Sequence, residues 1–297
     1  MAVIPAQLFN SVVALGYRTA SFSSDGPVPT TQWVATGFLY NYRFESPGQD
    51  AHPGMNTLVT NRHVVDSLLR KGKGLEDQVA RFHSARRGAF QDIPLAEISN
   101  SWAPRWFAHP DPLVDLAVLP VDYPALRARE RDINVIDSDA HCLNLAQMAE
   151  AGVTEGDMVH LMGFPLGLVG HSVNTPIVRL GCVARIRDAL AEPRKAVNFL
   201  VDGQCFPGNS GGLVIRRPEA VALQGTLAAR EVKVIGVIQG YLPHEEIAIG
   251  QQTGLARVSF QENSGLAVVH PMDLVAATAR PCLESFAAHF GLGQGRR

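Results

Sequence analysis

A serine stands between glycines in Gly208-Asn209-Ser210-Gly211-Gly212, after a proline turn at Phe206-Pro207 and before the apolar run Leu213-Val214-Ile215. Flanking glycines give the backbone φ values that other residues reach only at a cost. That freedom lets successive amide N–H groups point one way, which is what holding a developing oxyanion requires. A serine hydroxyl is a weak nucleophile until a base takes its proton. The same string also builds ordinary tight turns, so the chemistry depends on finding a base elsewhere.

Two segments offer partners. In Thr57-Leu58-Val59-Thr60-Asn61-Arg62-His63-Val64-Val65 a β-rich run ends in a polar turn, and His63 precedes a short helix expected over Val64–Leu69. In Asp111-Pro112-Leu113-Val114-Asp115-Leu116-Ala117-Val118-Leu119-Pro120, Asp115 stands at the mouth of an apolar strand. A carboxylate there is largely desolvated and needs a partner, for which an imidazole N–H is suited. Asp111 is the rival; Asp115 is preferred because it opens the strand directly. Alone, His63 reads equally as one surface histidine among ten, and Asp115 as a turn residue.

The order His63…Asp115…Ser210 is that of chymotrypsin-like enzymes and differs from the subtilisin and α/β-hydrolase orders. With it the chain resembles a trypsin/chymotrypsin-fold serine protease, in the style of short bacterial trypsin-like and HtrA-type catalytic domains. The resemblance is also carried by Ala35-Thr36-Gly37-Phe38-Leu39, by the 156–167 stretch ending Gly163-Phe164-Pro165-Leu166-Gly167, by Val234-Ile235-Gly236-Val237-Ile238 and by Gly265-Leu266-Ala267-Val268. These follow the family's order from about residue 11 to about residue 270.

The resemblance implies an all-β fold of two six-stranded antiparallel β-barrels with a C-terminal helical tail. It divides one peptidase domain over 1–297 into a first barrel (8–122), a connector (123–150), a second barrel (151–270) and terminal helices (271–297). It makes Ser210 the nucleophile, His63 the general base and Asp115 its orienting partner. The oxyanion hole falls on Gly208, Asn209 and Ser210, with the N–H groups of Gly208 and Ser210 as donors. The base of the specificity pocket falls on Gln204, where trypsin-type enzymes carry an aspartate. Cys205, Phe206, Gln239, Gly240, Tyr241 and Gly265 supply its walls, so a neutral residue is expected before the scissile bond. Asn209 stands where zymogen-type relatives have an aspartate that pairs with a freshly cut N-terminus, and no activation sequence lies near Ser11–Gly16. Protein or peptide substrates are the expected partners, and a silent peptide-binding module on the same fold is the alternative.

Composition agrees with a compact enzyme: 297 residues, 46% hydrophobic, with 27 glycines and 19 prolines suiting short strands and turns. A net charge of −2 gives no case for nucleic acid or an anionic membrane. Neither His-x-x-x-His on a helix nor Cys-x-x-Cys occurs, so no metal or cofactor is expected; His109-Pro110-Asp111 reads as a loop and Gly163–Gly167 as a structural turn. Cys142, Cys182, Cys205 and Cys282 have no secreted-type spacing, and with no recognisable signal peptide the expectation is reduced thiols and a cytoplasmic location. An appended PDZ domain is not expected.

Two-fold periodicity places first-barrel strands at Val12–Leu15, Val34–Leu39, Leu58–Thr60, Val79–Phe82, Ala96–Ser99 and Leu116–Pro120. Second-barrel strands are expected at Val159–Met162, Val178–Ile186, Asn198–Val201, Gly212–Ile215, Val232–Ile238 and Leu266–Val269. The tail reads as two helical stripes, interrupted at Pro281 and capped at Gly291.

Overall fold

The computed structural model of the protein describes residues 4–23, 26–43, 54–84, 89–129, 133–219, 231–249 and 256–290. Strands β1 (Val12–Ser23), β2 (Gly26–Arg43), β3 (Gly54–Thr60), β4 (Gln78–Ser84), β5 (Ala89–Pro94), β6 (Phe107–Ala108) and β7 (Ala117–Pro120) form one antiparallel sheet in the order β5-β4-β1-β2-β3-β7-β6. The two-residue β8 (Ile136–Asp137) joins β2 in parallel. Strands β9 (Met158–Gly163), β10 (Ile177–Arg185), β11 (Phe199–Asp202), β12 (Leu213–Arg216), β13 (Lys233–Ile249) and β14 (Ala256–Pro271) close a barrel in the order β10-β11-β14-β13-β12-β9. The chymotrypsin-like layout is present, with a closed six-stranded barrel in the second half. In the first half six longer strands are joined by two strands of two residues.

Helices α1 (Ala6–Ser11) and α2 (Arg62–Arg70) belong to the first half. The connector carries α3 (Tyr123–Arg129), α4 (Ser138–His141) and α5 (Leu145–Glu150), while α6 (Arg187–Ala191) and α7 (Met272–Phe290) follow.

Side chains alternate across a strand, and here both faces are used. In β1, Val13 and Leu15 pack with Leu39, Leu58, Phe82 and Ile93 inside the first half. Their neighbours Val12 and Ala14 turn the other way, into a cluster with Phe38, Val59, Met162, Leu213, Ile215 and Val237 that joins the halves. The second barrel has its own interior of Val159, Leu161, Val201, Val214 and Ile235. Each such buried side chain contributes about 1.5–3 kcal/mol, so the shared cluster fixes how the two halves meet. The end of β3 and the start of β7, paired at Thr60↔Ala117, lie on one side of that seam and the start of β12 on the other.

Four elements differ from the sequence reading. Ala96–Ser99 is not a strand: the ladder ends at Pro94 and the chain turns into a 3₁₀ turn over Leu95–Glu97. Proline pre-sets such a φ and ends a ladder by lacking an N–H. The hairpins β1–β2 and β13–β14 run far beyond their expected cores, with register pairs out to Ser23↔Gly26 and Ile249↔Ala256. Those extensions face solvent at residues such as His244, Glu245 and Glu246, so no apolar alternation marked them. The tail is one helix through Pro281. Met272, Val275, Ala279 and Cys282 bury themselves in the shared cluster on both sides of it, which outweighs the roughly 3 kcal/mol an interior proline costs. Gly291 lies outside the described residues.

Candidate active site

His63 is the second residue of α2, where backbone N–H groups have no partner within the helix. Its N–H donates to Asp115 Oδ1 at 2.8 Å, so the aspartate caps the helix from another segment. The second oxygen, Oδ2, lies 2.5 Å from His63 Nδ1. An ionised carboxylate only accepts, so Nδ1 carries the proton and Nε2 is left with its lone pair. Nε2 lies 3.1 Å from Ser210 Oγ. The serine hydroxyl is also 3.2 Å from Gln239 O. Asp111, the rival carboxylate, instead accepts from Leu113 N–H in its own turn.

The loop carrying Ser210 is held from three directions. Leu166 N–H donates to Pro207 O at 2.6 Å, which turns the Pro207–Gly208 peptide so that its carbonyl faces the 163–167 turn. Gly208 has φ +99°, and a Cβ there would meet Phe164 O at 2.4 Å; only glycine fits. Thr36 of β2, fully buried, donates from Oγ1 to Gly208 O at 2.7 Å and accepts from Phe164 N–H at 2.9 Å. Thr36 N–H also holds Ser210 O at 2.9 Å. Within the loop, Asn209 N–H bonds Phe206 O and Gly212 N–H bonds Asn209 O, while Gly211 N–H bonds Ile238 O of β13. Among the described residues, the N–H groups of Gly208 and Ser210 have no backbone acceptor.

A model of the trypsin-like peptidase domain matches residues 35–223, more than half of the chain. The chain belongs to that family. It is a protease of the trypsin/chymotrypsin fold. No curated protein matches it.

In this trypsin-like peptidase, Asn209 does not offer a donor to the cleft. Its N–H is spent on Phe206 O, and its side chain is buried with Oδ1 accepting from Phe206 N–H at 3.3 Å. It ties the loop to itself. A cleft of about 360 Å³ beside Ser210 is lined by His63, Asp115, Phe206, Pro207, Gln239, Gly240, Tyr241 and Val268. Four expected wall residues, Phe206, Gln239, Gly240 and Tyr241, are among these. Gln204, Cys205 and Gly265 are not. Gln204 is exposed, and Cys205 is fully buried, its thiol pushed up to about 12 by that burial. Gly265 turns at φ +83° beside Gln204. Pro207 and Val268 also line the cleft, and both are apolar. A larger hollow of about 600 Å³ under α6 shares no lining residue with this cleft, and of its charged residues Arg185 pairs with Asp188 and Lys195 with Glu192.

Two residues that sequence reasoning passed over hold Asp115 from behind. Asn61 Nδ2 donates to Asp115 O at 2.7 Å, and Asp115 N–H donates to His270 Nε2 at 3.2 Å. Asn61 and His270 are both fully buried. Asn61 lay within a matching stretch, whereas His270 follows the last one and carried no signal. Among the described residues there is no group of three or more His, Cys, Asp or Glu side chains arranged to hold a metal ion. No described helix is long and apolar enough to cross a membrane.

Proposed function

We propose that the chain is a serine endopeptidase acting through His63, Asp115 and Ser210. The observation that carries this is the run of contacts from Asp115 Oδ2 to His63 Nδ1 (2.5 Å) and from His63 Nε2 to Ser210 Oγ (3.1 Å). Ser210 attacks the substrate carbonyl as His63 takes its proton; His63 then returns the proton to the leaving amine. Asp115 holds the imidazole in the tautomer this requires and stabilises its charged form. Water repeats the sequence on the acyl-enzyme. The N–H groups of Gly208 and Ser210 bind the tetrahedral oxyanion, each donor contributing about 10²–10³ in rate.

The cleft favours a neutral, small to medium apolar residue before the scissile bond, because its acid, Asp115, has both oxygens on His63 and Phe206, Val268 and Tyr241 offer no charge to offset the desolvation of an ammonium. Activity does not depend on a freshly cut N-terminus: the neutral, buried Asn209 leaves nothing for a new N-terminal ammonium to pair with. Residues 1–297 act as one peptidase domain, since the nucleophile and its base come from opposite halves. All four cysteines carry free thiols, three of them buried, which suits a reducing compartment such as the cytoplasm.

Replacing Ser210 by alanine tests the reading. The variant should fold as the parent does and lose peptide hydrolysis by about three orders of magnitude or more. Undiminished cleavage by Ser210→Ala excludes it.

A further inference from the structure

His270 lies in β14 opposite Val237, fully buried, and touches neither the cleft nor Ser210. Its Nδ1 is 2.7 Å from Val197 O. A carbonyl only accepts, so Nδ1 bears the proton and Nε2 presents a lone pair. That lone pair takes the N–H of Asp115 at 3.2 Å. On the far side of the same residue, Asn61 Nδ2 takes the carbonyl at 2.7 Å. Both backbone groups of Asp115 are therefore gripped by buried side chains, one from β14 and one from the residue preceding α2. With its backbone so fixed, the carboxylate has both oxygens committed to His63.

We propose that His270 is a positioning residue, which in its neutral, Nδ1-protonated form holds Asp115, and through it His63, in register for proton transfer. The inference rests on reading His63, Asp115 and Ser210 as the catalytic set. Removing the acceptor leaves the Asp115 N–H buried and unpaired, and a buried orphan donor pulls its residue toward another partner.

Only the neutral ring can do this. A protonated imidazole carries hydrogens on both nitrogens, and Nε2–H would then confront the Asp115 N–H donor to donor. The titratable groups facing His270 are Asp115 and His109, the latter occupied by its own turn through Asp111 N–H. Burial, with His109 acting in the same direction, pushes His270 below the ordinary histidine range; the Val197 bond and Asp115 pull it back only in part. His270 is accordingly neutral at pH 7 and takes its proton on acidification. Turnover then requires two histidines to be unprotonated, His63 as base and His270 as support. The acid limb of log kcat against pH should steepen from a slope of one toward about two.

The test uses the full-length chain, steady-state hydrolysis of one peptide across pH 4–9, and two variants. His270→Gln keeps an acceptor near the Nε2 position but cannot titrate. It should retain kcat at pH 8 within about threefold and show an acid limb of slope one. His270→Leu keeps the volume but not the acceptor. It should lower kcat about 10- to 100-fold with KM unchanged, and shift the far-downfield proton resonance of the His63–Asp115 hydrogen bond. A folded His270→Leu protein with parental kcat and an unshifted resonance overturns the proposal. If that variant does not fold, His270→Gln decides alone, and an acid limb still steepening toward two refutes it. Covalent labelling of the parent at Ser210 by a fluorophosphonate separates the two readings. Labelling with unaffected His270 variants removes only this inference, whereas absence of labelling in the parent removes the catalytic assignment and the inference with it.

Discussion

His63 works at the open end of a helix, and that placement links its orientation to folding. The helix needs an acceptor for its second N–H, Asp115 Oδ1 supplies it, and the remaining oxygen is thereby aimed at Nδ1. One carboxylate serves both the stability of α2 and the tautomer of His63. At the same scale, the proposed function makes the residues around the cleft the ones that set what is accepted. Phe206, Val268 and Tyr241 present ring and aliphatic surface, and the acid nearest in sequence, Asp202, is exposed and absent from the lining. A peptide library read by mass spectrometry should therefore show small or medium apolar residues before the cleaved bond. A profile dominated by lysine or arginine would overturn this assignment of the pocket.

Among elements, the loop carrying Ser210 depends on β2 of the other half as well as on its own. Thr36 supplies the donor for Gly208 O, the acceptor for Phe164 N–H and the backbone donor for Ser210 O. Thr36→Val keeps the shape and removes the hydroxyl, leaving a buried carbonyl and a buried N–H unpaired at about 1–3 kcal/mol each. Thermal unfolding should shift down by several degrees, and kcat should fall with KM little changed, because the loop that positions the hole is loosened. An unaltered melting curve and kcat for that variant would contradict the role given to Thr36. This is also where the sequence was least legible. The strings around His63, Asp115 and Ser210 stood out because each joins a polar residue to an apolar run. Thr36 lay in a recognised string with nothing to mark its side chain, and His270 is a polar residue in a buried strand whose partners lie 155 and 73 positions away. The outer halves of β13 and β14 went unread because residues 242–247 and 259–262 are exposed on both faces. Ala96–Ser99 failed because two-fold periodicity cannot separate a strand from the turn that follows it.

For the whole molecule, the contacting residues come together only when the halves dock: His63 and Asp115 belong to the first, Ser210 to the second. The shared cluster of Phe38, Val59, Met162, Leu213 and Val237, closed by α7, makes that docking part of the fold. The N-terminal segment packs against the body of the fold. Ile4 and Leu8 are buried in the same cluster, and Gln7 reaches His141 at 3.1 Å, so α1 is anchored on the connector. Protein extended at its N-terminus by an uncleavable tag should therefore hydrolyse peptide at the same rate as untagged protein; activity that appears only after a cut near residue 11 would reverse this. Activation of Ser210 by His63 stands at the centre of the account, and a fluorophosphonate probe reads it directly, since an unactivated serine does not react. Peptide mapping of the labelled protein should find the adduct on Ser210, with His63→Ala abolishing it while the protein remains folded. No adduct on Ser210 in the intact protein, or equal labelling without His63, would contradict the account.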